Sequence, residues 1–152
     1  MNEEFDYEQY EKDCQQIRKD NEALLEGFQA WLQAKGLSQK TVSKHSSNLD
    51  FYLNDFLLRE SAVPASEGLE YSFVADYLGY FLIRKCLWSV PSTIKENGAS
   101  LKKFYEYMAE QGKVPRSALI ALKQDIKEGM PEWTEDCRLY NDPDYDYFDA
   151  FD

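Results

Sequence analysis

Residues 28–57 read FQAWLQAKGLSQKTVSKHSSNLDFYLNDFL, and this stretch decides the fold of the chain. Apolar residues recur at helical spacing on both sides of a Gly-Leu-Ser corner. Gly36 suits the left-handed position that follows a helix, and Ser38 suits the capping position that begins the next helix. The stretch therefore predicts two antiparallel helices joined by a short turn.

Helical periodicity extends outward from this corner over most of the chain, and no stretch shows the sustained alternation of a strand. The residues before the corner predict either one long helix or two helices joined near Asn21. After a loop at residues 60–70, three more helices are expected: one at residues 73–85, one from Ser92 to Gly112, and a short one after Pro115. The sequence thus predicts an all-α fold, a compact bundle of four to five helices.

Charge is distributed unevenly along the chain. The net charge is −11, yet residues 84–127 carry nine bases against four acids and have a net charge of +5. Residues 1–34 have a net charge of −6, and residues 128–152 have a net charge of −8. Evenly spread acid would argue against binding to nucleic acids or anionic membranes, but the basic centre allows a local anion-binding surface.

Three regions are expected from these patterns: an acidic N-terminal helical extension at residues 1–20, a helical domain at residues 21–128, and an acidic aromatic tail at residues 129–152. The tail loses periodicity, and its end, YNDPDYDYFDAFD at residues 140–152, alternates carboxylates with aromatic rings. One interpretation is that it mimics phosphates and bases and lies across the basic face of the same molecule. A second is that it docks a partner protein. The simpler alternative is a solvated acidic terminus, or one that folds back on the core.

The sequence shows no sign of export, membrane insertion or a disulfide framework. Its three cysteines, Cys14, Cys86 and Cys137, are far apart and form no C-x-x-C pair, which predicts reduced, structural thiols. The first residues, MNEEFDYEQY, are acidic and do not resemble a signal peptide. No apolar stretch is long enough to span a membrane. We therefore expect a cytoplasmic protein with no membrane partner.

No residue pattern indicates an active site, a metal centre or a cofactor site. His45 is the only histidine, and no nucleophile lies at a spacing that would pair with it. The aspartates of residues 142–146 approach the spacing of a calcium loop, but Tyr147 stands where an EF-hand requires glycine. The sequence predicts no enzyme, no cofactor, no metal and no small-molecule substrate.

Two stretches resemble a known family. Residues 28–57, with their Gly-Leu-Ser-x-x-Thr turn, resemble the opening hairpin of the SAM-like core-binding domain of tyrosine recombinases, the phage-integrase family. Residues 91–114, PSTIKENGASLKKFYEYMAEQGKV, resemble the fourth helix of that domain. The resemblance extends over residues 21–127 and implies a SAM-like helical domain that clamps double-stranded DNA.

The resemblance also implies which residues contact DNA, because in that family the second and fourth helices meet the phosphate backbone and the major groove. The matching positions of the first stretch are Lys40, Lys44, His45 and Asn48. The matching positions of the second stretch are Thr93, Lys95, Asn97, Lys102 and Lys103. Lysines would neutralise phosphates, and small polar side chains would reach phosphates or base edges.

The resemblance covers only the DNA-binding, core-binding domain of the family's proteins. The catalytic domain, with its arginines, histidines and nucleophilic tyrosine, has no counterpart in these residues. The expectation is therefore a non-catalytic DNA-binding module, an accessory or regulatory protein in DNA recombination or integration. The alternative is a helical protein–protein interaction adaptor that uses its acidic ends and binds no DNA, its lysines being the solvated faces of amphipathic helices.

Overall fold

The computed structural model describes residues 5–145, and within this range the chain is helical and contains no β-strand. The helices are α1 (Tyr7–Ala34), α2 (Gln39–Asp50), α3 (Tyr71–Asp76), α4 (Leu82–Lys85), α5 (Pro91–Glu110) and α6 (Arg116–Tyr140). Wider π-helical segments extend α2 over Phe51–Phe56 and join α3 to α4 over Tyr77–Phe81. The prediction of an all-α fold is confirmed for these residues.

The chain divides into two compact units, Met1–Gly68 and Leu69–Asp152. The division falls in the loop that the sequence predicts at residues 60–70, where a short 3₁₀ turn spans Ala65–Glu67. The expected domain at residues 21–128 includes parts of both units.

The first unit is the helical hairpin that the Gly-Leu-Ser corner predicts. Gly36 has a φ of 88°, which is the left-handed conformation expected after a helix. The Ser38 hydroxyl accepts a hydrogen bond from the Thr41 backbone N–H at 3.2 Å and so begins α2. Local capping and apolar spacing therefore suffice to produce this part of the fold. Five fully buried residues form the centre of the hairpin: Phe28, Leu32, Val42, Leu49 and Phe56.

From Tyr7 onward, the N-terminal residues belong to the same helix as the first arm of the hairpin. α1 runs through position 20 without a break, so the alternative of one long helix holds. Asn21 is buried inside it and donates a hydrogen bond from Nδ2 to Asn54 Oδ1 at 2.8 Å. The Tyr10 hydroxyl donates to the backbone carbonyl of Leu58. These contacts explain why the helix continues, since both tie α1 to the second half of the hairpin.

The second unit is built around the antiparallel helices α5 and α6. Pro91 lies in the first turn of α5. Glu106, late in α5, contacts Lys123 in the first half of α6. Gly98, early in α5, lies against Met130, which is further along α6, so the two helices run in opposite directions. The segment α3 to α4 packs on this pair.

Helix α6 is much longer than the sequence predicts. The sequence predicts a short helix followed by a tail from Gly129, but α6 spans 25 residues, from Arg116 to Tyr140, with Pro131 inside it. The physical reason is burial, because Trp133 and Cys137 extend the apolar stripe of the helix and are 6% and 0% exposed. Residues 129–140 are therefore part of the folded second unit. Of the expected tail, residues 146–152 lie outside the described residues.

The three cysteines are free and buried, with Cys14 in the first unit and Cys86 and Cys137 in the second. Burial raises the pKa of the Cys86 and Cys137 thiols. The described residues contain no cluster of side chains able to hold a metal ion. None of the described helices combines the length and the apolar character that crossing a membrane requires.

Gly79 gives a direct test of the packing in the second unit. A Cβ atom at this position would lie 2.5 Å from Cδ1 of the Trp133 indole, a rigid ring that cannot move aside cheaply. We expect Gly79→Ala to lower the free energy of unfolding by about 1–3 kcal/mol, measured by urea denaturation.

The matched control for this substitution is Gly98→Ala. Its Cβ would lie 2.7 Å from the terminal methyl of Met130, the end of a flexible side chain that can turn away. The gain in helix propensity, about 1 kcal/mol, offsets part of that cost. Equal losses of stability for the two variants would contradict the close approach of Trp133 to Gly79.

Candidate anion-binding groove

A groove between α5 and α6 forms a concave surface of the second unit, with a cavity of about 830 Å³. These two helices each contribute one continuous face, because the lining positions recur at helical spacing. Antiparallel packing brings the two faces together. The lysine groove, as we name it, is lined by Lys95, Ala99, Lys102, Lys103 and Glu106 of α5 and by Lys123, Ile126, Lys127, Met130, Pro131 and Thr134 of α6.

The groove has a strongly positive lining. Five lysines and a single glutamate face it. Lys123 Nζ lies 2.8 Å from Glu106 Oε1, and this pair neutralises one of the five charges. The other four lysines form no ion pair with any of residues 5–145. An anion that enters the groove therefore meets several ammonium groups that no carboxylate of residues 5–145 neutralises.

The floor of the groove is apolar. Ala99, Ile126, Met130 and Pro131 supply its apolar lining. Ile126, which is fully buried, and Met130 lie where α6 packs against Gly98 of α5. Long lysine side chains can lie along such a floor with their methylene stems while the ammonium groups remain in water. The site thus combines a cationic rim with an apolar base, which suits a ligand that has both anionic and apolar groups.

Three of the predicted DNA-contacting residues of the second stretch lie together in this groove: Lys95, Lys102 and Lys103. Thr93 does not line it. The Thr93 hydroxyl accepts a hydrogen bond from the Val90 backbone N–H at 3.2 Å and closes the first turn of α5. Its role in this fold is that of a helix-capping residue.

Asn97 requires a correction. Its side chain is 3% exposed, accepts a hydrogen bond from the Tyr77 hydroxyl at 3.2 Å, and donates one to the Thr93 carbonyl at 2.9 Å. A side chain held in this way inside the second unit cannot reach a phosphate or a base edge. Asn97 is therefore a hydrogen-bonded core residue and not a candidate DNA contact.

The predicted residues of the first stretch all lie on α2, in the first unit. Lys40 and Lys44 are exposed, whereas His45 and Asn48 are half-buried. Lys44, His45 and Asn48 each have an interaction with another residue of the chain. Of these four positions, the two lysines are the more exposed.

Two groove residues, Lys123 and Lys127, were not predicted from the sequence. The resemblance points only to the second and fourth helices of the family, and these lysines belong to α6. A signal was nevertheless present, because they are four residues apart and flank Ile126 of the apolar stripe. That spacing indicates a basic edge beside the buried face of the helix.

Comparisons with protein-family models, with curated proteins and with solved structures give no match to this chain.

Proposed function

We propose that this chain is a non-catalytic DNA-binding module that holds the phosphate backbone of double-stranded DNA in its lysine groove. The observation that carries the proposal is the set of four groove lysines without an ion-pair partner among residues 5–145. Each lysine that meets a phosphate releases condensed counterions from the DNA, and this release drives association.

The dimensions of the groove support this proposal. Lys95 and Lys103 are eight residues apart on α5, which corresponds to about 12 Å along the helix axis. One strand of B-DNA carries a phosphate about every 3.4 Å along its axis. The row of lysines can therefore follow several successive phosphates. Because the whole chain has a net charge of −11, binding should be weak at physiological salt and strongly salt-dependent.

The resemblance of residues 28–57 and 91–114 supports the finer part of the proposal, a SAM-like domain of the core-binding type. On that basis the protein acts as an accessory or regulatory component in DNA recombination or integration. Lys40 and Lys44 on α2 are then a second candidate contact with DNA, and this contact is to be tested separately from the groove.

A triple substitution of Lys102, Lys103 and Lys127 by alanine tests the groove. We expect affinity for a duplex of about 20 base pairs and mixed sequence to fall by about tenfold or more at about 50 mM salt. The slope of log K against log salt should become less steep by about 0.9 for each phosphate that is no longer neutralised, that is, by about 2–3 in total. Fluorescence anisotropy over a salt series measures both quantities.

A second triple variant serves as the matched control, with alanine at Lys12, Lys19 and Lys113. These three lysines are exposed and lie outside the groove, so the variant loses the same charge elsewhere. If the two triple variants lose DNA affinity to the same extent, the affinity depends only on net charge and not on the groove. The proposal is overturned if DNA does not bind at low salt to the unmodified protein or to a variant with asparagine in place of the five aspartates of residues 142–152. Lys40→Ala with Lys44→Ala, measured in parallel, reports on α2.

One observation favours a second candidate function, that of a protein–protein interaction adaptor. The apolar floor of the groove is of no use to a phosphate backbone but suits a peptide with apolar side chains. The adaptor function is supported if the protein binds no DNA at any salt concentration but does bind an acidic aromatic peptide.

A further inference from the structure

The lysine groove has a rim and a floor of different chemistry, and a ligand that fills it has to match both. A peptide that alternates carboxylates with aromatic rings does so, because its carboxylates can pair with the rim while its rings cover the floor. The chain itself contains such a sequence, DPDYDYFDAFD at residues 142–152, with five aspartates and four aromatic rings. We propose that the lysine groove binds this acidic aromatic segment of the same molecule.

The segment starts at the end of the groove where α6 ends and α5 begins. Asn141 follows α6, and its Nδ2 donates a hydrogen bond to the Ser89 carbonyl at 2.8 Å. Ser89 precedes α5, so the segment begins beside the first turns of that helix. Lys95, the first groove lysine, lies four residues into α5, about 6 Å along the helix axis from Pro91. The segment therefore begins at the end of the groove where Lys95 lies.

The length of the segment is sufficient. Its residues, about eleven, span about 36 Å in extended conformation. Thr134, the last groove residue of α6, is about 9 Å along the helix from Tyr140, and Lys123 is about 26 Å from it. The segment can thus reach the whole groove while α6 stays intact.

The covalent link favours binding within one molecule over binding between two copies. A short connection gives a tethered ligand an effective concentration of about 1 mM or more. At micromolar protein, a second copy of the segment would be present at a roughly thousandfold lower concentration. The groove volume of about 830 Å³ also lies within the range of sites that enclose small ligands.

Zero-length cross-linking of the full chain tests the proposal. At low micromolar protein, a water-soluble carbodiimide joins a lysine amine to a carboxylate only when the two are in contact. Peptide mapping by mass spectrometry should find links between Lys102, Lys103 or Lys127 and the aspartates of residues 142–152, in the monomeric product. No DNA is present, so failure of the proposed DNA binding does not affect this outcome.

Replacement of Phe148 and Phe151 by alanine tests the role of the apolar floor. We expect the yield of these links to fall by about fivefold or more, since two rings lose their burial while all five aspartates remain. Phe5→Ala with Tyr7→Ala is the matched control, because it removes two exposed rings near the other terminus and should leave the yield unchanged.

Three outcomes would overturn the proposal. The first is the absence of links to the groove lysines, and the second is equal linking to Lys12, Lys19 and Lys113. The third is restriction of the links to dimeric product, which would identify a second copy of the chain as the source of the segment.

Discussion

Replacement of Trp133 by alanine is expected to lower the free energy of unfolding by about 3–5 kcal/mol. The indole is 6% exposed and fills the space above Gly79, where even a methyl group would not fit beside it. Its removal loses the transfer free energy of a large apolar side chain and leaves a cavity that the helices can close only in part. Urea denaturation followed by far-ultraviolet circular dichroism measures the loss of stability.

Trp88→Ala is the matched control for this prediction. Trp88 belongs to the same unit but is 60% exposed, so we expect a change below about 1 kcal/mol. Similar losses of stability for the two tryptophans would contradict the packing of the second half of α6. A large loss for Trp133 alone would place residues 129–140 inside the cooperative fold.

Alkaline pH is expected to destabilise the protein through Tyr105. This side chain is fully buried in α5, and burial raises the pKa of its phenol far above the ordinary value of 10.0. Above about pH 10 the unfolded chain releases the proton while the folded chain retains it. The folded state then binds more protons, so its stability falls as pH rises, by about 1.4 kcal/mol for each pH unit. Below about pH 10 this contribution to stability is fully present.

The comparison of the unmodified protein with Tyr105→Phe isolates this effect. Between about pH 9 and pH 11 we expect the unmodified protein to lose about 1.4 kcal/mol more stability than the variant, measured by urea denaturation at each pH. Tyr71→Phe, which changes a tyrosine that is 60% exposed, should behave like the unmodified protein. The same pH dependence in the Tyr105 variant would show that other groups cause the alkaline loss.

Features that depend on neighbours in sequence were predictable, and the corner at Gly36 and Ser38 is the clearest case. A positive φ and a side-chain cap each involve only a few consecutive residues, so glycine and serine indicate them directly. The length of α6 was not predictable in this way. Its residues Gly129 and Pro131 locally favour a helix end, but the burial of Trp133 overrides them through contacts with distant residues.

The candidate site, too, could be predicted from the sequence only in part. Lys102 and Lys103 could be identified from one amphipathic helix and a resemblance. Lys123 and Lys127 become part of the site only through the packing of α6 against α5, and periodicity does not determine which faces meet. Asn97 shows the opposite error, because a polar residue on a helix looks exposed until its partner, here the Tyr77 hydroxyl, is known.

The reactivity of the buried cysteines can be used to measure local unfolding of the chain. Thiol reagents react with the deprotonated, accessible form of cysteine, so all three residues should be protected in the folded protein. Cys14 belongs to the first unit, whereas Cys86 and Cys137 belong to the second. The order in which the three thiols react under mild denaturant therefore reveals which unit opens first, and no additional cysteine has to be introduced.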